Sequence, residues 1–282
     1  MPVCVFHSMP GKLCLFVIGL LVTQPAAASP KRFVSMNLCT DQLLMLLADK
    51  EEIVSVSYLA ARKDLSVMTT RAQRFYLNHG QAEEIMRLKP DLVLAGVFST
   101  RTTVFMLKKL GYRVEVLPVA SHFSTIRANI RKVASLVGHP QRGEQLIAQF
   151  DERLESLKNK RPAIPAMAVF YRENGYTTGK NTLANAILKQ AGFSNLAAQL
   201  GISGSGHLSL EELLMHPVDV LIKGRRRSPD GSVAAAALLH PAYRHYAAQR
   251  KNISINDALW ICGTPFVLDA VNNLLTVHRL KK

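Results

Sequence analysis

The chain has 282 residues, with 35 Lys and Arg against 20 Asp and Glu and a formal net charge of +15. That length accommodates one large domain or two lobes with cores of their own, and no segment after the first 28 residues is long and apolar enough to span a bilayer core of ~30 Å. The positive surplus favours anionic partners or belongs to a solvated basic surface, and with no basic helix or aromatic RNA-binding motif nucleic acid is not an expected partner.

Residues 1–28 read as an export signal. Lys12 is a lone charge before the apolar run Leu13 to Val22, and Ala26-Ala27-Ala28 offers an A-x-A cleavage site. Removing 28 residues from 282 leaves 254, and removing Lys12 lowers the net charge from +15 to +14. The expected product is a soluble exported protein, periplasmic in a double-membrane bacterium. The signal carries Cys4 and Cys14, so the remainder keeps only Cys39 and Cys262. No C-x-x-C or zinc-type spacing is present. An oxidising compartment permits pairing of the two. A bridge between residues so far apart would lock separate lobes together, so the reading leans against a disulfide and leaves the pairing open.

The elements then alternate. Arg32 to Met36 is a strand entering Asn37-Leu38-Cys39-Thr40-Asp41, where Thr40 or Asp41 is positioned to cap a helix Gln42 to Ala48. Ile53 to Ser57 is a second strand, followed by a polar, Arg-rich loop from Tyr58 to Gly80. A short helix opening with Glu83 and Glu84 precedes the strand Leu92 to Leu94. Helix Thr102 to Leu110 stops at Gly111, and strand Arg113 to Leu117 stops at Pro118. Helix Ser124 to Val137 is followed by a longer one, Gln141 to Lys160, with Leu146, Ile147, Phe150, Leu154 and Leu157 on one face. Strand Met167 to Tyr171, helix Leu183 to Ala191, a loop Gly201 to His207 and a second acid-led helix follow. Arg225-Arg226-Arg227, helix Val233 to Leu239 ending at His240-Pro241, strand Lys251 to Ile255, loop Trp260 to Pro265 and helix Asp269 to Leu280 complete the chain.

One phrase occurs twice. Glu83 to Gly96 returns as Glu211 to Gly224 at a constant offset of 128, so Asp91 maps to Asp219. Each copy reads as a short helix, a Pro that stops it, and a buried strand ending at Gly. Repetition of a βα unit predicts two similar α/β lobes, each a mainly parallel sheet flanked by helices. The expected organisation is an N-terminal lobe over 29–138, a connecting helix over 139–162 and a C-terminal lobe over 163–282. A long joining helix predicts a cleft that closes by small tilts, and ligands bind in such clefts.

Familiar catalytic signatures fail. Gly175 to Asn181 resembles a phosphate loop but is one residue short, with Asn181 where a Ser or Thr would hold magnesium. No G-x-S-x-G elbow, H-E-x-x-H or G-x-G-x-x-G is present, so a non-enzyme is expected. The histidines His79, His122, His139, His207, His216, His240 and His245 are scattered and read as surface or capping groups. Trp260, the only tryptophan, follows a strand and is either a ligand platform or core. Arg62, Arg101 and Arg172 lie after strands, where a planar guanidinium can meet a carboxylate. Glu83 and Glu211 favour their helix N-termini, yet paired exposed acids on so basic a chain also offer handles for basic residues of a partner.

Taken together, Arg32-Phe33-Val34-Ser35-Met36-Asn37, Glu83 to Leu94, the turn Tyr176-Thr177-Thr178-Gly179-Lys180, Glu211 to Ile222 and the late Trp260 resemble the periplasmic binding proteins of ABC importers. The class is the helical-backbone one that carries cobalamin, iron–siderophore complexes or haem. The resemblance covers essentially the whole chain after the signal. It implies a non-catalytic, monomeric receptor with no intrinsic cofactor, whose cargo is a ferric chelate, a corrinoid or haem. By resemblance, Glu83 and Glu211 dock onto arginines of the inner-membrane permease dimer, which works with its ATPase. The ligand-gripping loops map onto Asn37, Cys39, Thr40, Tyr58, Arg62, Phe98, Ser99, Arg101, Tyr171, Arg172 and Trp260. The Tyr58–Gly80 stretch lacks the aromatic that cobalamin binders place before the first acid, with Tyr76 or His79 as substitutes. That departure and the basic charge tilt the expectation toward an anionic iron chelate, while haem with Tyr or His as axial ligand is the alternative of the same shape. An exported hydrolase or chelate reductase using the same cleft is the alternative of another class.

Overall fold

Long aliphatic runs such as Leu92-Val93-Leu94-Ala95 become central strands because both of their faces are buried. The computed structural model describes residues 31–224 and 236–279; the expected signal at 1–28 and Arg225-Arg226-Arg227 lie outside the described residues. The N-terminal lobe runs β1 (Phe33–Ser35), α1 (Leu38–Leu47), β2 (Ile53–Ser57), α2 (Thr69–Ala72), β3 (Tyr76–Asn78), α3 (Ala82–Arg87), β4 (Leu92–Gly96), α4 (Arg101–Lys109), β5 (Val114–Leu117) and α5 (Phe123–Val137). Its five strands are all parallel, in the order β3-β2-β1-β4-β5.

Helix α6 (Pro140–Lys158) leads to the second lobe; its 19 residues extend about 28 Å at the α-helical rise. The second lobe contains β6 (Ala166–Phe170), β7 (Tyr176–Thr178), α7 (Leu183–Gln190), β8 (Phe193–Asn195), α8 (Leu196–Gln199), β9 (Ser205–His207), α9 (Leu210–Met215), β10 (Val220–Gly224), α10 (Ala236–Leu239), α11 (Pro241–Ala248), β11 (Lys251–Ile255) and α12 (Val267–Arg279). Its four-stranded parallel sheet has the order β11-β10-β6-β8, and β7 pairs with β9 in a separate antiparallel ribbon. Read from the far side, β8-β6-β10-β11 repeats β2-β1-β4-β5. The sequence repeat is therefore a structural repeat.

The two aspartates of the repeat explain why it recurs. Asp91 accepts the backbone N–H of Arg32 at 2.7 Å and returns its own N–H to the Arg32 carbonyl at 2.9 Å. Asp219 does the same with Met167, at 2.7 and 2.8 Å. In each lobe the aspartate clasps the start of the neighbouring strand and sets the register of the central pair.

Several expectations are corrected. Helix α1 is capped by Asn37, whose Oδ1 accepts the Cys39 N–H at 3.0 Å, and not by Thr40 or Asp41, which are buried within the helix. The Tyr58–Gly80 stretch is not a loop. It forms a 3₁₀ turn at Tyr58–Ala61, α2 and the edge strand β3, because Asn78 is fully buried and donates to the Ser35 carbonyl and the Ser55 hydroxyl. Part of the Gly201–His207 loop is β9. Strand β8 and helix α11 were not anticipated; α10 ends at Leu239 as expected, but Pro241 also starts the next helix. It occupies the first turn of α11, where its missing N–H costs nothing, and His240 Nδ1 accepts the Ala242 N–H.

Of the buried apolar clusters among the described residues, the one centred on α1, α5, α6, α7 and α12 spans both lobes. Leu43 of α1, Ile126 of α5, Phe150 of α6, Ile187 of α7 and Leu274 of α12 belong to one continuous buried cluster.

Candidate functional site: the groove at the strand ends

In open parallel sheets, ligands sit beyond the carboxyl ends of the strands where the strand order reverses. Here those points follow β1 and β4 in one lobe and β6 and β10 in the other. A cavity of about 190 Å³ lies at the first of them, lined among others by Asn37, Cys39, Phe98, Val119 and, from the second lobe, Ile261. Its rim is apolar and open to solvent. Phe98 is 85% exposed, and Val97, Val119 and Ile261 are exposed beside it. A larger hollow of about 570 Å³ runs beside α7 and carries Lys180 and Lys189. Both hollows draw residues from the two lobes, the larger through His122 before α5; the smaller is the one at the point of strand reversal after β1 and β4.

The backbone around it is tightly specified. The turn after β4 closes through Ser99, whose hydroxyl accepts the Gly96 N–H at 3.1 Å, and this turn projects Phe98 outward. A Cβ at position 96 would come within 2.8 Å of the Asn37 side chain, so the glycine that ends β4 is required by the Asn37 cap. Thr40 is buried, donating to the Asn37 carbonyl at 2.9 Å and sharing a hydrogen bond with Ser35 at 2.7 Å. It supports the cavity wall from behind.

Cys39 and Cys262 form a disulfide, with Cα atoms 5.0 Å apart, where the sequence leaned against one. The reason is the path of the loop after Asp257–Leu259, which folds onto the N-terminal lobe. Thr264 donates to Gln42 Oε1 at 3.2 Å, and a Cβ at Gly263 would stand 2.2 Å from the Ala120 Cβ. The bridge, this hydrogen bond and this close approach staple the second lobe to the first beside the cavity.

The other candidates divide. Tyr58 is exposed and stacks on His79 with ring centroids 4.9 Å apart. Arg62 is exposed and paired with Asp64 at 2.7 Å, which lifts its guanidinium further above its ordinary range. Arg101 is the exposed first residue of α4. Arg172 is tied to the buried Asp257, which also accepts the Trp260 indole N–H at 2.9 Å. Trp260 itself is buried in the core and packs edge-on against Phe170 at 4.7 Å. Tyr171 is buried against Tyr243; burial, and after it the Glu211 carboxylate, push its phenol up. Asn37, Cys39, Thr40 and Phe98 thus meet around one cavity, and Tyr171 and Trp260 do not line it. Val97, Val119 and Ile261 were missed. Only their places after β4, after β5 and beside Trp260 could have marked them.

Within each acidic pair the work is divided alike. Glu84 accepts the Tyr76 hydroxyl at 3.0 Å and the His79 N–H at 2.7 Å, and Glu212 faces His216 at 3.4 Å. Glu83 and Glu211 are exposed. Among the described residues no hydrogen bond or ion pair reaches either carboxylate.

A family profile described as "Periplasmic binding protein" matches residues 34–253. Among curated proteins, a cobalamin-binding protein of Halobacterium salinarum is 27% identical over 235 residues, covering 77% of this chain and 61% of that protein. The chain therefore spans 61% of that relative's length. A vitamin B12-binding protein of Yersinia pestis is 23% identical over 240 residues, with 83% of each covered. Among solved structures, the apo periplasmic heme-binding protein RhuT from Roseiflexus sp. RS-1 aligns with a TM-score of 0.71 at 24% identity, over 88% of this chain and 97% of that one. The periplasmic vitamin B12-binding protein BtuF of Vibrio cholerae aligns with a TM-score of 0.68 at 20% identity, over 90% and 99%. These structural likenesses establish the two-lobed fold.

Proposed function

The chain belongs to the periplasmic binding protein family, and from that premise we propose that it is an exported receptor for a corrinoid. It holds the cargo between its lobes and delivers it to an ABC importer of the inner membrane. The observation that carries this reading is the apolar rim of Phe98, Val97, Val119 and Ile261 at the strand ends of both lobes. A macrocycle presents a broad apolar face to such a rim. The cavity of about 190 Å³ is below the ~300–1,000 Å³ of a whole small-molecule site, so it takes an edge of the cargo while the ring lies above it. Curated relatives named for cobalamin and vitamin B12 support a corrinoid over the ferric chelate toward which the missing aromatic and the basic charge had tilted the expectation. The exposed carboxylates of Glu83 and Glu211, one per lobe and unbonded among the described residues, suit docking onto basic residues of the two permease subunits.

Haem is the second reading, supported by the stacked Tyr58–His79 pair, which sets a phenol and an imidazole side by side after β2 and β3. Mass spectrometry and an absorbance spectrum of gently purified protein separate the two. A retained corrinoid, or tight binding of added cobalamin, is expected. A Soret band with no affinity for cobalamin moves the assignment to haem, and retention of a ferric chelate moves it to siderophore transport.

A further inference from the structure

We propose that Asp49, Glu52 and His139 bind one zinc ion where α6 meets the N-terminal lobe, at the opposite end of the strands from the groove. The three offer one imidazole nitrogen and two carboxylate oxygens, all within 4.8 Å of one another. Tetrahedral zinc with bonds of ~2.0–2.2 Å needs donors about 3.3 Å apart. His139 Nε2 lies 2.8 Å from Glu52 Oε2 and 3.6 Å from Asp49 Oδ2. These two separations lie on either side of the required value, and the Asp49–Glu52 separation is within 4.8 Å.

Each donor is held in place by a group that a metal leaves intact. Arg142 binds the other Asp49 oxygen, Oδ1, at 2.7 Å and the Leu47 carbonyl at 2.7 Å. The Asp49 N–H donates to Glu52 Oε2 at 2.9 Å, which folds Glu52 back over the turn that leads into β2. His139 is fixed between Gly138, at φ +87° after α5, and Pro140, the first residue of α6. Outer contacts of this kind orient first-shell ligands at zinc sites. His139 and Glu52 are partly exposed and Asp49 is half open to solvent. A hollow lined by His139, Pro140, Arg142 and Gln145 gives a hydrated ion a way in. Three protein donors leave the fourth position to water.

The imidazole selects a borderline metal such as zinc over calcium or magnesium, which take oxygen donors alone. Two carboxylates meet the ion, Asp49 holding the Arg142 cation on its other oxygen, and Arg71 is close enough to Arg142 to be felt electrostatically. Zinc binds His139 Nε2 in the Nδ1–H tautomer of the neutral imidazole, so the hydrogen bond between His139 and Glu52 gives way to two metal bonds. The consequence is a clamp between α6 and the turn before β2.

The test is calorimetric titration of the full chain with zinc chloride at neutral pH, repeated for His139→Gln and Asp49→Asn, with X-ray absorption on the loaded native protein. The expected result is one zinc with one nitrogen and two carboxylate oxygens among its ligands. His139→Gln should weaken it at least ~100-fold, since loss of an outer group alone costs 10–100-fold. Asp49→Asn, which keeps an oxygen for Arg142, should weaken it as well, and magnesium should not compete. Cargo affinity should stay unchanged, so the outcome is independent of the receptor assignment. Absence of binding, binding that survives both variants, or binding abolished by changing His216 beside Glu212 would overturn the proposal.

Discussion

Asp41 shows how little a residue type says about its role. An acid near a helix start reads as a cap, yet Asp41 is fully buried and holds the Ser57 N–H at 3.0 Å and the Ser57 hydroxyl at 2.5 Å. It ties α1 to the carboxyl end of β2. Burial pushes its carboxyl from 3.8 up to about 7, against the opposing pull of Ser35 and Ser57. The folded state therefore holds a proton that the unfolded chain releases near pH 4, and this contribution to stability declines as pH rises from about 4 to 7, by up to ~1.4 kcal/mol per pH unit. Asp41→Asn keeps an acceptor for the Ser57 N–H and places an amide donor where Oδ2 accepts from the hydroxyl, but never ionises. Urea unfolding at pH 5 and pH 8 should show a smaller difference between the two pH values in the variant than in the native protein; an unchanged difference would remove Asp41 as its source. Glu83 and Glu84 make the same point. Adjacent and identical, they differ only in which one β3 and its following loop engage, and no local pattern announces that.

At the scale of elements, the loop from Trp260 to Pro265 joins the lobes at the groove. Its composition marked it only as irregular. The pairing of Cys39 with Cys262 spans 223 residues of sequence, and no spacing rule reaches so far; it depends on where this loop lands on the other lobe. Replacing both cysteines with serine should lower the unfolding free energy by about 2–5 kcal/mol, the usual range for losing a native bridge, and should speed cargo release by loosening the wall that carries Ile261. Denaturant midpoints and dissociation rates of the double variant measure both. Stability unchanged from the native protein would mean that the Thr264–Gln42 bond and the Gly263–Ala120 contact hold the loop unaided. The short strands β3, β8 and β9 were illegible for a related reason. Each has three residues, too few to show a period, and each exists because a neighbouring strand or ribbon partner stands ready to pair with it.

For the molecule as a whole, the repeated sheet order puts Glu83 and Glu211 in equivalent places on two lobes joined by α6. If both meet basic residues of a two-fold partner, reversing both to Lys should abolish delivery while leaving cargo affinity within about twofold, because each lies on a helix surface away from the cavity lining. Uptake assays paired with equilibrium binding test this, and a loss of affinity with intact uptake would sink the docking role.

The amino-acid order by itself determined the alternation of strands and helices, the two-lobe plan and its internal echo. Doubly buried strands write unbroken aliphatic runs, and the Asp that clasps each first strand must recur wherever the unit recurs. It also carried enough motif to point to the family. Only the tertiary structure decided which strand-end residues share a cavity, that Trp260 is core, that the two cysteines meet, and that His139 lies against two acids some 87 residues away in sequence. Those outcomes depend on how independently formed elements pack across the lobes, and side chains brought together by packing leave no periodic trace along the chain.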